Sequence, residues 1–122
     1  MDRQKVLVAL AALAHETRLD LIRLLTPLGW AGMPAGQIAQ ALGLAAPRLS
    51  FHLAALEQAG LIRSRRVARN VIYSVDAIGL GRTISYLLNV CCADHPEVLA
   101  ACNQRRNDAA LHGAGASGSE KT

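Results

Sequence analysis

The chain is short of aromatic residues, with one phenylalanine, one tryptophan and two tyrosines in 122 residues. Substrate and cofactor pockets draw heavily on aromatic side chains, and there is little aromatic material here to build one. Catalytic signatures are missing as well. The sequence has no glycine-rich phosphate loop, no Cys-x-x-Cys turn and no clearly placed Ser/His/Asp constellation. A chain of this length buries one core and leaves little room for a separate catalytic domain, which points to a binding protein and not to an enzyme. No apolar run approaches the ~20 residues that span a bilayer, so no membrane association is expected. Met1 to Lys5 followed by the apolar stretch Val6 to Ala14 has the outline of a short signal peptide. The spacing of Val6, Leu10 and Leu13 instead fits one face of a helix, and export would tend to oxidise the cysteines. The expected compartment is therefore the cytoplasm.

What the chain does carry is positive charge and thiols. Thirteen lysines and arginines against nine acidic residues give a net charge of +4, which favours a polyanionic partner. Arg63, Arg65, Arg66 and Arg69 are clustered, whereas the apolar first third of the chain has no such group. Three cysteines, the adjacent Cys91 and Cys92 and then Cys102, all lie in the last third. An odd count leaves one sulfur without an internal partner, and neighbouring cysteines pair with each other only through a strained ring. A structural staple is a poor account of them; thiolates gathered for a soft ion are a better one.

The apolar pattern predicts a mainly α fold with a small β-hairpin. A first helix is expected over residues 3 to 14 and a second over 16 to 26, with Leu19, Leu21, Ile22 and Leu25 forming its apolar face. Pro27 and the Gly29 to Pro34 stretch end it. A short helix follows from Ala35 to Leu42, closed by Gly43, and a longer one starts near Ala46 with Pro47 in its first turn and ends at Gly60. Two helices joined by a tight turn with glycine at the break make a helix-turn-helix. Leu61 to Arg66 and Asn70 to Val75 read as strands of a hairpin, and a hairpin bearing arginines beside a helix-turn-helix is a wing. A fifth helix is expected from Ala77 to Val90, with Ile84, Leu87, Leu88 and Cys91 on one stripe. Asp94 and Glu97 have capping-box spacing for a sixth, which holds Leu99 and Cys102. The expected division is one winged helix-turn-helix, dimerisation and thiol-bearing domain over residues 1–107, and a disordered Ala/Gly/Ser-rich tail over 108–122.

With Leu49, Leu53 and Leu56 inward, the fourth helix leaves Pro47, Arg48, Ser50, Phe51 and His52 as candidates to reach a major groove, with Gln37 from the helix before it. Arg48 suits a phosphate or a guanine, Ser50 a phosphate or a base, and Phe51 a thymine methyl. A histidine beside a leucine stripe is more often a packing or hydrogen-bonding residue than a base reader, and both roles stay open for His52. Arg63, Arg65, Arg66 and Arg69 would follow the phosphate backbone or enter the minor groove; the plainer alternative is a solvated strand face.

The segments Ala12 to Leu19 (ALAHETRL), Gln37-Ile38-Ala39, Leu49 to Leu53 (LSFHL) and Leu56 to Ile62 (LEQAGLI) together resemble the ArsR/SmtB family of winged-helix metalloregulators, over about residues 6 to 90. The resemblance implies a homodimer held by its first and last helices, which represses a detoxification operon by binding operator DNA and releases it when a metal ion or metalloid binds. Two of the family's ligand sites are missing: Pro34 to Ala39 contains no cysteine, and Asp76 to Cys92 contains no histidine. What remains is similar to an arsenite-responsive subgroup with an Asn-Cys-Cys motif and a third cysteine downstream. Here Val90 separates Asn89 from Cys91 and Cys92, and the third cysteine is Cys102. Trivalent arsenic or antimony accepts three thiolates in a pyramid, so As(III) or Sb(III) is the expected inducer, bound within one chain or between the two chains of a dimer. Zinc, cadmium or lead would need a further ligand such as His95 or Glu97. Thiol oxidation, and three small hydrophobes packed in a dimer interface, are the other readings. Adjacent helical residues point about 100° apart, so the helix is expected to fray near Cys91 for the pair to converge.

Binding carried by many cations weakens steeply with salt. Neutral substitution of Arg66 or Arg69 is expected to flatten the dependence of operator affinity on salt by about 0.9 in log–log slope for each phosphate no longer neutralised. Anisotropy titrations at several salt concentrations check this, and an unchanged slope in both variants rules out the wing assignment.

Overall fold

The computed structural model describes residues 2–112. Helix α1 (Arg3–Leu13) is started by Asp2, whose carboxylate accepts the Lys5 backbone N–H at 2.8 Å, and it buries Val6, Ala9 and Ala12. Helix α2 (Glu16–Leu25) buries Leu21 and Leu25. Leu19, expected on the same face, is 54% exposed. Two residues of helix turn it about 200° from Leu21, and the Leu21–Leu25 pair, one turn apart, sets the inward face. A 3₁₀ segment (Thr26–Ala31) follows, then a two-residue strand β1 (Met33–Pro34) that the sequence pattern does not announce.

Helices α3 (Ala35–Leu42) and α4 (Ala46–Gln58) are the expected helix-turn-helix. Gly43 ends α3 in the left-handed conformation, φ 66°, where a residue without a Cβ is unstrained. Strands β2 (Ile62–Val67) and β3 (Asn70–Val75) form the hairpin, and β1 adds to β3, giving a three-stranded antiparallel sheet in the order β1-β3-β2. Met33 lies opposite Tyr73, and Ser64 lies opposite the same residue from the other side. The core joins α1, α2, α3, α4 and the start of β2 through Ala9, Leu21, Leu25, Ile38, Leu49, Leu53, Leu56, Leu61 and Ile62. This is the mainly α winged helix-turn-helix expected.

Helix α5 (Ala77–Tyr86) opens with the Asp76 carboxylate accepting the Gly79 N–H at 3.0 Å, while the Asp76 N–H donates to the Leu61 carbonyl at 2.9 Å. The chain divides into two compact units, the first ending at Ile84 and the second beginning at Ser85. In the second, the helix widens into a π turn over Leu87–Cys91, and Ala93 and Asp94 take left-handed backbone conformations. Helix α6 (Pro96–His112) follows. Its first turn is capped by His95, whose Nδ1 accepts the Glu97 N–H at 3.3 Å, and not by Asp94: a cap residue needs extended backbone, and Asp94 has φ 54°. α6 continues past Asn107, the boundary expected for the domain; residues 113–122 of the expected tail lie outside the described residues.

Gly32 makes the 3₁₀ segment's approach to the sheet possible. It has φ 61° and ψ −155°, and a Cβ there would run into the Tyr73 carbonyl oxygen. At Gly29, also left-handed, nothing lies within 4 Å of a Cβ. Gly32→Ala is therefore expected to destabilise by at least about 2 kcal/mol, and Gly29→Ala by about 1 kcal/mol, since only the first adds a collision to the backbone strain. Urea denaturation at fixed protomer concentration checks the difference.

Candidate nucleic-acid interface and cysteine segment

The orientation of α4 is set by its apolar stripe. Leu49, Leu53 and Leu56 are buried, and this turns Pro47, Arg48, Ser50 and Phe51 outward, with Phe51 65% exposed. Gln37 of α3 is exposed next to the buried Ile38. Five of the six helical candidates for groove contact are thus on the surface. The exception is His52.

His52 is 3% exposed and cannot reach a base. Its Nδ1 accepts the Arg18 Nε–H at 3.0 Å, which leaves the ring proton on Nε2 in the neutral tautomer. Its ring centroid lies 4.5 Å from that of His15 and 5.4 Å from that of Phe51. The Arg18 guanidinium also sits 5.6 Å from the centre of the Phe51 ring, and its Nη1 donates to the Ala12 carbonyl at 3.4 Å. His52 is therefore a brace between α2 and the reading helix. His15 caps α2 by accepting the Thr17 N–H on Nδ1 at 3.2 Å. Arg18 escapes a search for DNA contacts because its function is internal; its place in the Ala12 to Leu19 motif, in the first turn of α2, was the available signal. Burial, the neighbouring His15 and the cations Arg18 and Arg48 hold the His52 pKa below its ordinary value.

The wing arginines fall into two groups. Arg63 and Arg65 alternate with Ser64 and Arg66, so the two pairs occupy opposite faces of β2. On one face, the Ser64 hydroxyl donates to the Glu57 carboxylate at the end of α4, 2.7 Å away, tying the hairpin to the reading helix. On the other, the guanidinium carbons of Arg65 and Arg63 lie 4.3 Å and 5.1 Å from the Trp30 ring centroid. Arg65 Nη1 donates to the Trp30 carbonyl at 2.7 Å. Arg65 is thus half-buried in an internal contact, while Arg66 and Arg69 are exposed at the hairpin tip.

The cysteines are all free. Cys91, the last residue of the π turn, is exposed, Cys92 is half-buried and Cys102, on α6, is exposed. Among the described residues no group of three His, Cys, Asp or Glu side chains is placed to hold a metal ion. In this conformation Cys102 is not gathered with the pair.

A family model described as a helix-turn-helix domain matches residues 13–65. The HTH-type transcriptional regulator YgaV of Escherichia coli (strain K12) is 36% identical over 83 residues, which cover 68% of this chain and 82% of that protein. Among solved structures, the ArsR-like transcriptional regulator from Rhodococcus sp. RHA1 is 30% identical with a TM-score of 0.64, covering 83% of this chain and 92% of the other. The chain belongs to the ArsR family. Two further solved structures are similar. Reduced HlyU from Vibrio cholerae N16961 is 30% identical with a TM-score of 0.58, covering 73% of this chain and 90% of that one. The homodimeric winged helix-turn-helix DNA-binding domain Mb0332 from Mycobacterium bovis, a possible ArsR-family regulator, is 28% identical with a TM-score of 0.59, covering 77% and 83%. This ArsR-family chain is accordingly a DNA-binding transcriptional regulator and not an enzyme. Among the described residues no helix is long and apolar enough to cross a membrane.

Because folding holds the His52 pKa down, the unfolded chain takes up a proton at this residue more readily than the native one. Its contribution is fully present above about pH 6.5 and is lost as pH falls from there through the lower native pKa. Asparagine offers Arg18 an acceptor without titrating. The urea midpoint is expected to fall less between pH 7 and pH 5 in His52→Asn than in the parent chain, and parallel curves refute the assignment.

Proposed function

We propose that this ArsR-family regulator is a homodimeric repressor that releases operator DNA when Cys91, Cys92 and Cys102 bind trivalent arsenic or antimony. The observation that carries the reading is the cysteine segment: three free thiols in one compact unit, two of them adjacent at the end of the π turn that follows α5. The helix does not fray at Cys91 as expected: it widens into a π turn that runs through Cys91, and the left-handed Ala93 and Asp94 follow just after Cys92. A soft centre that takes three thiolates needs no imidazole or water, and His95 is already engaged as the cap of α6.

That no three-thiol group is formed among the described residues suits an inducible switch. A ligand moves an equilibrium only by the difference in its affinity for two states, and a centre that needs three convergent thiolates favours the state in which they are gathered. In the proposed mechanism the ligand draws Cys102 toward Cys91 and Cys92, reshapes the end of the helix that continues from α5, and alters the spacing of the two reading helices. Half-sites on DNA then no longer match. The homodimer is supported by the homodimeric Mb0332 domain and by apolar residues left on the surface of α1 and α5, where Leu7, Val8 and Ile78 are about half exposed or more. On the DNA side, Gln37, Pro47, Arg48, Ser50 and Phe51 are proposed to meet the major groove, with Arg66 and Arg69 on phosphates. The proposed site of action is the cytoplasm, where a transcriptional regulator meets its operator.

A second reading is regulation by oxidation. A disulfide needs two thiols, not three, and a relative has been solved as reduced HlyU. Two thiols and one hydrogen peroxide would give one disulfide and two waters, the cysteines losing two electrons and two protons.

Arsenite titrated against the protein–operator complex under reducing conditions is expected to release DNA. Cys102→Ser is expected to need at least about tenfold more arsenite. X-ray absorption of the arsenite-bound protein is expected to show three As–S contacts per site. Normal release by Cys102→Ser excludes the three-thiol site, and release by peroxide with none by arsenite replaces this reading with the second.

A further inference from the structure

Trp30 is the chain's one tryptophan, and the sequence suggests core or loop packing for it. In the structure it is 58% exposed. Two guanidinium groups nonetheless lie over the ring, Arg65 at 4.3 Å and Arg63 at 5.1 Å from its centre, where cation–π attraction favours them. Arg65 is the more committed. Besides stacking, its Nη1 donates to the Trp30 carbonyl at 2.7 Å and its Nη2 points at the Ala31 carbonyl at 3.4 Å, so one planar group joins the ring and the backbone of the same segment.

The position of that segment is itself fixed. Gly32 brings it against the Tyr73 carbonyl of β3, and Met33 and Pro34 pair with Tyr73 and Ile72. β3 is thus held by β1, and β2 is held through Arg65 by the residues just before β1. Ser64, on the opposite face of β2, fastens the same strand to Glu57 of α4 at 2.7 Å. The hairpin is gripped from both faces at the middle of β2, and the tip bearing Arg66 and Arg69 extends from that grip.

We propose that Trp30 and Arg65 form a latch that aims the wing, with Arg65 a positioning residue and not a phosphate contact, and the phosphate contacts of the wing left to Arg66 and Arg69. The proposal rests on the reading of the hairpin as a wing on DNA. It separates two functions that a cluster of arginines in sequence runs together: the latch needs a flat, forked group, whereas a phosphate contact needs charge. Lysine keeps the charge and loses the fork and the stack.

The test uses the full-length chain and a fluorescent duplex that the parent protein selects from a random-sequence pool. Affinity is measured against salt for Trp30→Ala, Trp30→Phe, Arg65→Lys, Arg65→Ala, Arg66→Ala and Arg69→Ala. Trp30→Ala and both Arg65 variants are expected to bind about three- to tenfold more weakly with the salt slope unchanged, and Trp30→Phe is expected to recover most of the loss. Arg66→Ala and Arg69→Ala are expected to flatten the slope by about 0.9 each. Emission from the lone tryptophan reports the latch directly and is expected to change in Arg65→Lys, while unchanged circular dichroism shows the fold intact. The latch is overturned if Arg65→Lys binds like the parent while Arg65→Ala flattens the slope, because Arg65 then acts through its charge. It is also overturned if Trp30→Ala leaves affinity unchanged. Slopes unaltered in both Arg66→Ala and Arg69→Ala are a different result and overturn the reading of the hairpin as a wing.

Discussion

The arrangement of the DNA-facing surface depends on the burial of one leucine stripe. Leu49, Leu53 and Leu56 are each 3% exposed or less, and full burial of a leucine is worth about 1.5–3 kcal/mol. Turning α4 by one residue's rotation, about 100°, would bring leucines to the surface and push Arg48 or Phe51 toward the core. The cost of several kcal/mol exceeds anything gained from a new surface contact. His52 adds a directional restraint that apolar packing lacks, since its hydrogen bond to Arg18 forms only at one rotation and one height of the helix. The outward side chains of α4 are thus placed by the core beneath them. Arg18 is the hinge of this arrangement: it holds His52, lies over Phe51 and reaches the Ala12 carbonyl at the end of α1.

The same logic extends to the hairpin, but with polar and cation–π contacts in place of leucines. A two-stranded ribbon is marginal on its own, and here it gains a third strand of only two residues together with one tie on each face of β2. These ties are individually modest, and their value is in direction. An arginine between a ring and two carbonyls, and a serine on a carboxylate, fix the angle at which the hairpin leaves the body.

Much of this was legible in the sequence because the elements obey strong local rules. The leucine spacing of α4, the left-handed glycine after α3 and the break at Gly60 each have one economical reading. Other features were hidden for physical reasons. β1 has two residues, one of them proline, so it shows no alternation, and its pairing is decided by the backbone freedom of Gly32. His52 lies next to the stripe on the helical wheel, where period alone allows a buried or an exposed side chain; Arg18, distant in sequence, decides it. Arg65 looks like Arg66 in composition, and only the fold brings Trp30 beneath it. Asp94 has the side chain for a cap but not the backbone, so His95 takes that position.

The cysteine segment follows a different principle from the rest of the chain. Elsewhere, positive φ is mostly assigned to glycine; between Cys92 and α6, alanine and aspartate take it in succession, at φ 49° and 54°. L-residues in this region carry about 1–2 kcal/mol of strain each. The turn is closed by local backbone bonds, Cys92 N–H to the Leu87 carbonyl and Asp94 N–H to the Leu88 carbonyl, and not by burial of large side chains. Such a segment can exchange one conformation for another without opening a core. A ligand that pulled Cys102 toward Cys91 and Cys92 would have to break those few bonds, and relief of the two left-handed residues would offset part of the cost. Coupling between sites in allosteric proteins is typically about 1–3 kcal/mol, the scale of these terms. On the proposed reading, then, Cys91 and Cys92 sit at the end of a π turn held by few local bonds, where a rearrangement disturbs no buried core.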